Sequence, residues 1–319
     1  MTRELKVVVL LGGRSSEREI SLLTGEEVYK ALLQKGYRAA KVDLDENVVE
    51  NLRREAPDAV FIALHGKYGE DGAVQGMLEV LGIPYTGSGI LASALCLNKL
   101  FSKRIFLNEG IPTPSFALVR EDEWEENEGQ ARSRIAKTFS LPVVVKPIAQ
   151  GSSVGVSIVQ EEKDLAGALE VAFSYDEGAL VEEYVDGREI QCGVLGNENP
   201  IALPLVEIVS QKQFFDYEAK YTPGLAEEIT PAPLSPEESR AGQEMGLRAY
   251  KSLGCAGLAR VDMFLSPDRG FLVSEINTIP GLTKDSLFPK EAKAAGIEFP
   301  QLISRIVELA LERRARAKN

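Results

Sequence analysis

Histidine and cysteine are scarce in this sequence, which has one histidine and three cysteines among 319 residues. A single histidine, His65, excludes a histidine-rich metal site. The cysteines, Cys96, Cys192 and Cys255, lie far apart in apolar surroundings and match no metal-ligand spacing, so we expect packed, reduced thiols of a cytoplasmic protein.

Long apolar runs and an excess of positive charge are missing as well. No run approaches the roughly 20 residues of a membrane-spanning helix, and no signal peptide is evident before the first strand-like run. The formal net charge of −12 argues against a nucleic-acid partner, for which a basic face would be expected. With 44% hydrophobic residues the chain can bury a substantial core, and its length suggests two or three domains.

The first third of the chain alternates strand-like apolar runs with helical patterns, the runs lying at 5–11, 41–44 and 59–64. This βαβα order predicts an open parallel sheet. A capping box at 16–19 predicts the start of the first helix, and Gly36 is its expected C-cap.

Two loops follow strands of this predicted sheet, at 12–17 and 65–72. Ligands of such sheets bind beyond the carboxyl ends of the strands, so both loops are candidates for a binding site. His65 begins the second loop, where it could equally be a structural histidine bonded to the loop backbone.

The rest of the chain predicts helices at 99–110, near 162–173 and at 299–314. Mostly antiparallel strands are predicted at 142–147, 179–185, 189–195, 201–208, 258–265 and 271–277. The segment 210–235 has few regular signals, and a loop of that length in a compact domain is usually functional.

The most informative pattern is a predicted hairpin formed by residues 257–262 and 274–277, with a turn at Asp268. Alternation places Arg260 and Asp262 on one face of their strand, and Glu275 and Asn277 share a face of theirs. Folding the hairpin brings the carboxylates together. Hard oxygen ligands of this kind favour magnesium, although a solvated ladder of salt bridges would give the same pattern.

A glycine-serine loop, Gln150-Gly151-Ser152-Ser153-Val154-Gly155, follows the predicted strand that contains Lys146. Glycines let a backbone approach a phosphate, and exposed N–H groups supply donors. A lysine within an apolar strand is costly unless it is paired, and a nucleotide phosphate would be a suitable partner. The alternatives are a flexible hairpin and an ordinary buried salt bridge.

Two further segments carry dense charge. The connector at 182–189 can present backbone groups to an adenine edge and a carboxylate to a ribose, or it can be an exposed acidic turn. The segment 215–221 could act as a lid that brings Lys220 to a phosphate and excludes water, or it can be an ordinary surface loop.

Six motifs together resemble the D-alanine–D-alanine ligase family of the ATP-grasp superfamily: LLGGRSSEREISL, LHGKYGEDGAVQG, VVVKPIAQGSSVG, FFDYEAKYTPG, LARVDMF and EINTIPGLT. The resemblance spans nearly the whole chain. It implies an α/β and α+β ATP-grasp fold with an N-terminal Rossmann-like substrate domain at 1–98 and a central ATP-grasp subdomain at 99–186. The C-terminal ATP-grasp subdomain, with the metal site and the lid, would span 187–319.

The resemblance also implies a set of ligands for ATP and two Mg²⁺ ions, for which Mn²⁺ can substitute. The metal ligands would be Asp262, Glu275 and Asn277. The ATP ligands would be Lys99, Lys146 and Lys220 on the phosphates, Ser153 in the loop, Glu182, Glu183, Tyr184 and Val185 at the adenine, Glu189 at the ribose, and Phe214 against the ring.

For the amino-acid substrates the resemblance implies two subsites. The first D-alanine would meet Glu17, grouped with Ser152 and Tyr221, with His65 nearby. Oxyanion charge would be stabilised by Arg260 and the Gly281 N–H, and the second D-alanine would meet Ser286 and Leu287.

The implied reaction is ligation of two D-alanines to a dipeptide for peptidoglycan, through an acylphosphate, in a cytoplasmic homodimer. Tyr221 favours the dipeptide over D-alanyl–D-lactate in this family. Asp285 departs from the histidine that members often carry there, which touches the second subsite.

Three other functions remain open. Another ATP-grasp carboxylate–amine ligase would use different amino acids. A nicotinamide-dependent dehydrogenase would share the first third, but G-x-G-x-x-G is missing after the first strand. A non-catalytic ATP-binding regulator would keep the fold without turnover.

Overall fold

The computed structural model describes residues 5–151, 153–210 and 226–317. Their strands form three sheets, one parallel and two antiparallel. The mixed α/β and α+β architecture expected from the sequence is therefore confirmed.

The parallel sheet has the order β2-β1-β3 and is built from the first third of the chain. Its strands are β1 (Lys6–Leu11), β2 (Arg38–Asp43) and β3 (Ala59–Ile62). The accompanying helices are α1 (Arg18–Gln34), α2 (Val48–Glu55), α3 (Ala73–Leu81) and α4 (Ile90–Leu97). The predicted parallel sheet is confirmed.

The start of α1 differs from the prediction. Glu17 is the N-cap residue and makes no side-chain cap hydrogen bond, so the capping box at 16–19 is wrong. The Glu17 carboxylate instead lies beside Gly66, where a Cβ atom would come within 2.6 Å of its Oε2. The N-cap is therefore Glu17 rather than Ser16, the N-cap that the motif predicts, and the Glu17 side chain reaches across to the loop after β3.

A four-stranded antiparallel sheet follows, with the order β4-β7-β5-β6. Its strands are β4 (Phe116–Arg120), β5 (Val143–Pro147), β6 (Ser157–Val159) and β7 (Gly178–Glu183). The helices of this region are α5 (Lys99–Asn108), α6 (Glu121–Glu126), α7 (Glu128–Thr138) and α8 (Leu165–Phe173).

The third sheet has six strands in the order β11-β10-β8-β12-β13, with β9 paired to β8. The strands are β8 (Arg188–Leu195), β9 (Ile201–Ala202), β10 (Val206–Ser210), β11 (Ala226–Ile229), β12 (Leu258–Ser266) and β13 (Gly270–Asn277). The helices are α9 (Pro236–Ser252), α10 (Leu287–Ala294) and α11 (Phe299–Ala317).

The single strand predicted at 201–208 is wrong, because β9 and β10 are separate strands. Pro204 lies between them, and proline has no N–H to continue a ladder. At this interruption the Gly193 carbonyl of β8 still accepts from the Leu203 N–H at 2.8 Å, whereas the Gly193 N–H donates outside the sheet to Glu291.

The C-terminal helices pack back on the parallel sheet. Ile303 and Ile306 of α11 belong to one buried apolar cluster with Val7 and Phe61, and Phe288 of α10 joins the same cluster with no exposed surface. This packing holds α10 near the loops that follow β1 and β3. Among residues 5–151, 153–210 and 226–317, no helix combines the length and apolarity needed to cross a membrane.

Candidate active site

The hairpin of β12 and β13 has the register predicted from the sequence. Asp262 lies opposite Glu275, and Arg260 lies opposite Asn277. The register shifts just after Asp262 through a bulge or irregularity, a feature that is frequent beside functional sites. Two carboxylates, one amide and one guanidinium therefore meet on a single sheet surface.

Arg260 and Asp262 form a bidentate ion pair within one strand. Nε donates to Oδ1 and Nη2 donates to Oδ2, each at 2.7 Å. Burial lowers the pKa of the Arg260 guanidinium, but the charge and hydrogen bonds of Asp262, together with the charges of Glu275 and Glu291, raise it by more, so the net shift is upward. The guanidinium stays charged and is held in a fixed position.

Side-chain oxygen atoms that could bind a metal ion dominate this surface. The Asn277 Oδ1 accepts a hydrogen bond from the Ile279 N–H at 3.0 Å, and a Glu275 oxygen lies 3.6 Å from the Lys99 Nζ. In the part of the chain that the structure describes, no group of three or more His, Cys, Asp or Glu side chains suits a metal ion. The set at the hairpin is two carboxylates and an amide, which suits a hard cation that takes its other ligands from phosphate or water.

Two cavities flank the hairpin. The first has a volume of about 360 Å³ and is lined by the connector 182–189 together with Lys146, Ser153 and Asp262. The second has a volume of about 380 Å³. It is lined by residues on or next to each of the three sheets, among them Glu17, His65 and Arg260. Lys99, Gln150 and Glu275 line both cavities, so the two adjoin at the hairpin.

The first cavity contains most residues predicted to bind a nucleotide. These are Lys99, Lys146, Ser153, Glu182, Glu183, Tyr184, Val185 and Glu189. The connector joins β7 to β8, as predicted. The Glu183 carboxylate bonds at 2.8 Å to both the Ser115 N–H and the Arg269 guanidinium, which fixes one end of the connector.

Buried lysines surround this cavity. The Lys146 Nζ lies 3.0 Å from the Glu182 Oε2, and the Lys99 Nζ donates to the Gln150 carbonyl. Burial lowers the pKa of Lys99, and the charge of Glu275 opposes that shift. Glu182 and Glu275 offset part of the cost of burying these lysines, and a polyanion in the cavity would add to that pairing.

The second cavity gathers the residues predicted for the amino-acid subsites. Those that line it are Glu17, His65, Arg260, Gly281, Ser286 and Leu287. A Cβ atom on Gly281 would lie 2.9 Å from the Ser286 Oγ, so only glycine fits here without displacing Ser286. The Ser286 Oγ also lies 2.8 Å from the Thr283 Oγ1, which fixes this loop ahead of α10.

His65 is buried at the wall of the second cavity and has two side-chain neighbours. Its Nε2 lies 3.2 Å from the Thr24 Oγ1, and its Nδ1 lies 3.7 Å from the Glu70 Oε1. The Glu70 carboxylate also accepts from the Gly66 N–H at 2.9 Å. His65 therefore orders the loop after β3 and borders the cavity at the same time.

Four predicted site residues lie outside the described residues: Ser152, Phe214, Lys220 and Tyr221. The predicted lid at 215–221 lies there too. Asp285, the departure noted in the sequence, lines the second cavity beside Ser286.

Sequence reasoning missed three buried charged side chains at the site, namely Glu70, Lys103 and Glu291. Glu291 is fully buried on α10 and accepts from the Gly193 N–H at 2.7 Å, while its Oε2 has no hydrogen-bond partner among the described residues. Gly193 pairs with Arg260 across β8 and β12, so Glu291 lies behind the guanidinium. Nothing in the local sequence pattern indicates this burial.

Glu291 gives a prediction for stability against pH. Burial raises the pKa of its carboxyl from 4.5 to about 8, while Arg260 lowers the pKa and Asp262 raises it. The folded chain keeps a proton that the unfolded chain releases, so stability should fall as pH rises between these values, by at most about 1.4 kcal/mol per pH unit. Glu291→Gln cannot ionise and should lose this dependence.

The measurement is urea unfolding of the wild type and Glu291→Gln from pH 5.5 to 9. Glu298→Gln serves as the control, because Glu298 is exposed beyond the end of the same helix. The stability advantage of Glu291→Gln should grow towards pH 8 and then level off. A difference from the wild type that stays constant over this range would contradict the prediction.

Comparison with known proteins identifies the family. Residues 105–308 match the model described as "D-ala D-ala ligase C-terminus", and residues 46–88 match "D-ala D-ala ligase N-terminus". A D-alanine–D-alanine ligase of Pelotomaculum thermopropionicum is 53% identical over 309 residues, which cover 97% of each chain. A ligase of the same name from Carboxydothermus hydrogenoformans is 50% identical, covering 97% of this chain and 99% of the relative.

Solved structures give the same result. The D-alanine–D-alanine ligase of Bacillus anthracis complexed with ATP superposes with a TM-score of 0.82 at 34% identity, covering 98% of this chain and 99% of the other. The VanG D-Ala:D-Ser ligase of Enterococcus faecalis gives 0.84 at 32% identity, covering 97% and 100%. The chain therefore belongs to the D-alanine–D-alanine ligase family of ATP-grasp enzymes.

Proposed function

We propose that this chain ligates two molecules of D-alanine to D-alanyl-D-alanine with ATP, releasing ADP and phosphate. The observation that carries the proposal is the junction of two cavities at the hairpin, where Lys99, Gln150 and Glu275 border both. A nucleotide in one cavity and amino acids in the other would meet beside Arg260. The names of the relatives support this reaction.

ATP is assigned to the first cavity. Lys99 and Lys146 would bind the phosphates with Ser153, and the connector residues Glu182 to Val185 would hold the adenine, with Glu189 at the ribose. The buried lysines support this because their ammonium groups border the cavity and would attract the negative charge of a phosphate there. From the sequence, Lys220 and Phe214 would complete the site.

Asp262, Glu275 and Asn277 would hold two Mg²⁺ ions or Mn²⁺ in their place. The fit rests on the donor set, because carboxylate and amide oxygens with few nitrogen or sulfur neighbours suit hard cations. When bound, such ions would offset the charge of the transferring phosphoryl group. Arg260 already holds both Asp262 oxygens from one side, which orients the carboxylate for a second cation.

The two D-alanines are assigned to the second cavity. Glu17 would receive the ammonium of the first, with His65, Ser152 and Tyr221 nearby, and Ser286 and Leu287 would bind the second. The Glu17 carboxylate supports this, because it points between Gly66 and the Gly151 end of the glycine-serine loop. The amino acid is thereby brought towards the nucleotide.

The chemistry follows from the weakness of a carboxylate as an electrophile. The first D-alanine carboxylate would attack the γ-phosphorus of ATP and form an acylphosphate with ADP leaving. The amine of the second D-alanine would then attack the acyl carbon, and the tetrahedral intermediate would expel phosphate. Arg260 and the Gly281 N–H would stabilise its oxyanion, and loss of one such donor typically costs about 2.7–4 kcal/mol.

We further propose the three-unit division 1–98, 99–186 and 187–319, since the strands of each sheet fall within one unit. The product implies a role in peptidoglycan precursor synthesis. We also propose a cytoplasmic homodimer without nucleic-acid or membrane partners, in keeping with the use of ATP and small amino acids.

The reaction is tested by phosphate release with ATP and Mg²⁺, with products identified by mass. D-alanine alone should give D-alanyl-D-alanine, and D-alanine should outcompete D-lactate and D-serine as second substrate at neutral pH. L-alanine should give no product. A panel in which another amino acid replaced D-alanine would contradict the substrate assignment and leave the ATP-grasp fold in place.

The roles of the hairpin carboxylates are tested by Asp262→Asn and Glu275→Gln. Each removes one negative charge from the proposed metal site, so kcat should fall by about 10²-fold or more. Asp268→Asn is the matched control, because Asp268 is exposed at the turn of the same hairpin. If Asp262→Asn and Glu275→Gln kept the kcat of the wild type and of Asp268→Asn, with matching unfolding temperatures, the assignment would be refuted.

A further inference from the structure

Lys103 is the most deeply buried cation near the first cavity, although it lines neither cavity. It lies on α5 one turn after Lys99, and its side chain has no exposed surface. Its Nζ donates to the Thr113 Oγ1 at 2.9 Å and lies 3.2 Å from the Glu182 Oε2. From this position it cannot touch a nucleotide, so any effect on one must pass through its neighbours.

Glu182 is the neighbour that connects Lys103 to the cavity. Its Oε2 accepts two ammonium groups, that of Lys103 from behind and that of Lys146 at 3.0 Å. Its Oε1 is buried and has no hydrogen-bond partner among the described residues. Both cations thus bind one oxygen, and the other oxygen is left for a donor that residues 5–151, 153–210 and 226–317 do not supply.

Two lysines facing one carboxylate leave a surplus of one positive charge in a buried cluster. Burial lowers the pKa of Lys103 to about 8, and the charge of Glu182 opposes the shift. A cluster with only Glu182 and Lys146 would be a neutral pair, in which each group satisfies the other. Because Lys103 also lies beside Glu182, the single negative charge of the carboxylate does not neutralise both lysines. The positive charge of Lys146 can then attract an anion in the cavity.

We propose that Lys103 is a positioning residue for nucleotide binding, which orients Glu182 and thereby sets both the free Oε1 and the charge available from Lys146. The proposal rests on the assignment of ATP to the first cavity. Lys103 would act on the nucleotide only through Glu182. The expected effect is therefore on ATP affinity and not on the amino-acid subsites.

The test compares Lys103→Met with the wild type, because methionine keeps the length and apolar stem and removes the charge. The KM for ATP and the Kd for ATP measured by calorimetry without D-alanine should both rise about tenfold. The KM for D-alanine should change less than twofold. Lys103→Arg, which keeps the charge, should recover most of the ATP affinity.

The control is Arg104→Met, since Arg104 is exposed on the same helix and loses the same charge. Its ATP affinity should equal that of the wild type. In Glu182→Gln, adding Lys103→Met should have little further effect, because the two changes break one linkage. Additive losses of ATP affinity in the double variant would overturn the proposal, as would an unchanged Kd in Lys103→Met.

Folding and function are separated by two measurements. If Lys103→Met loses its cooperative unfolding transition, Thr113→Val decides instead: it removes the second partner of Lys103 and should raise the Kd for ATP about threefold, whereas no change would overturn the proposal. Wild-type turnover with D-alanine tests the proposed function separately. ATP binding to the wild type without such turnover would refute that function and leave the role of Lys103 open to the same Kd comparison.

Discussion

The register between β12 and β13 is the constraint on which the site depends. It places Asp262 opposite Glu275 and Arg260 opposite Asn277, where the two cavities meet. A slip of one residue would send each side chain to the opposite face of the sheet. The register is supported on the other edge of β12 by β8, whose Gln191 and Gly193 lie beside Asp262 and Arg260. The alternate residues of these strands, such as Val261 and Ile276, are buried in an apolar cluster, so the charged residues must lie on the opposite face of the sheet.

Buried charge is the second organising feature. Lys99, Lys103 and Lys146 share the neighbourhood of Glu182 and Glu275, and Arg260 is paired with Asp262. Removing these ions from water is costly, and pairing within the protein offsets only part of that cost. An incoming polyanion with its cations would complete the balance. The same desolvation that makes these buried charges costly strengthens each interaction with a bound substrate.

Much of this arrangement could be predicted from the sequence, because strand alternation and turn residues act locally. The hairpin, the connector 182–189 and the parallel sheet all followed from such patterns. The edge strand Phe116–Arg120 was missed, and Pro204 separates β9 from β10, which the apolar composition of 201–208 had suggested to be one strand. Lys103 and Glu291 were missed because one charged residue in a helical pattern does not reveal whether tertiary packing will bury it.

Diffraction from crystals grown with ADP, Mn²⁺ and D-alanine would test most directly whether the hairpin joins two substrate cavities. Anomalous scattering locates Mn²⁺ independently of the protein density. We predict Mn²⁺ at Asp262, Glu275 and Asn277, ADP against Lys146 and Glu182, and D-alanine on the Glu17 side of Arg260. Nucleotide or metal bound away from the hairpin, with these carboxylates unengaged, would contradict it.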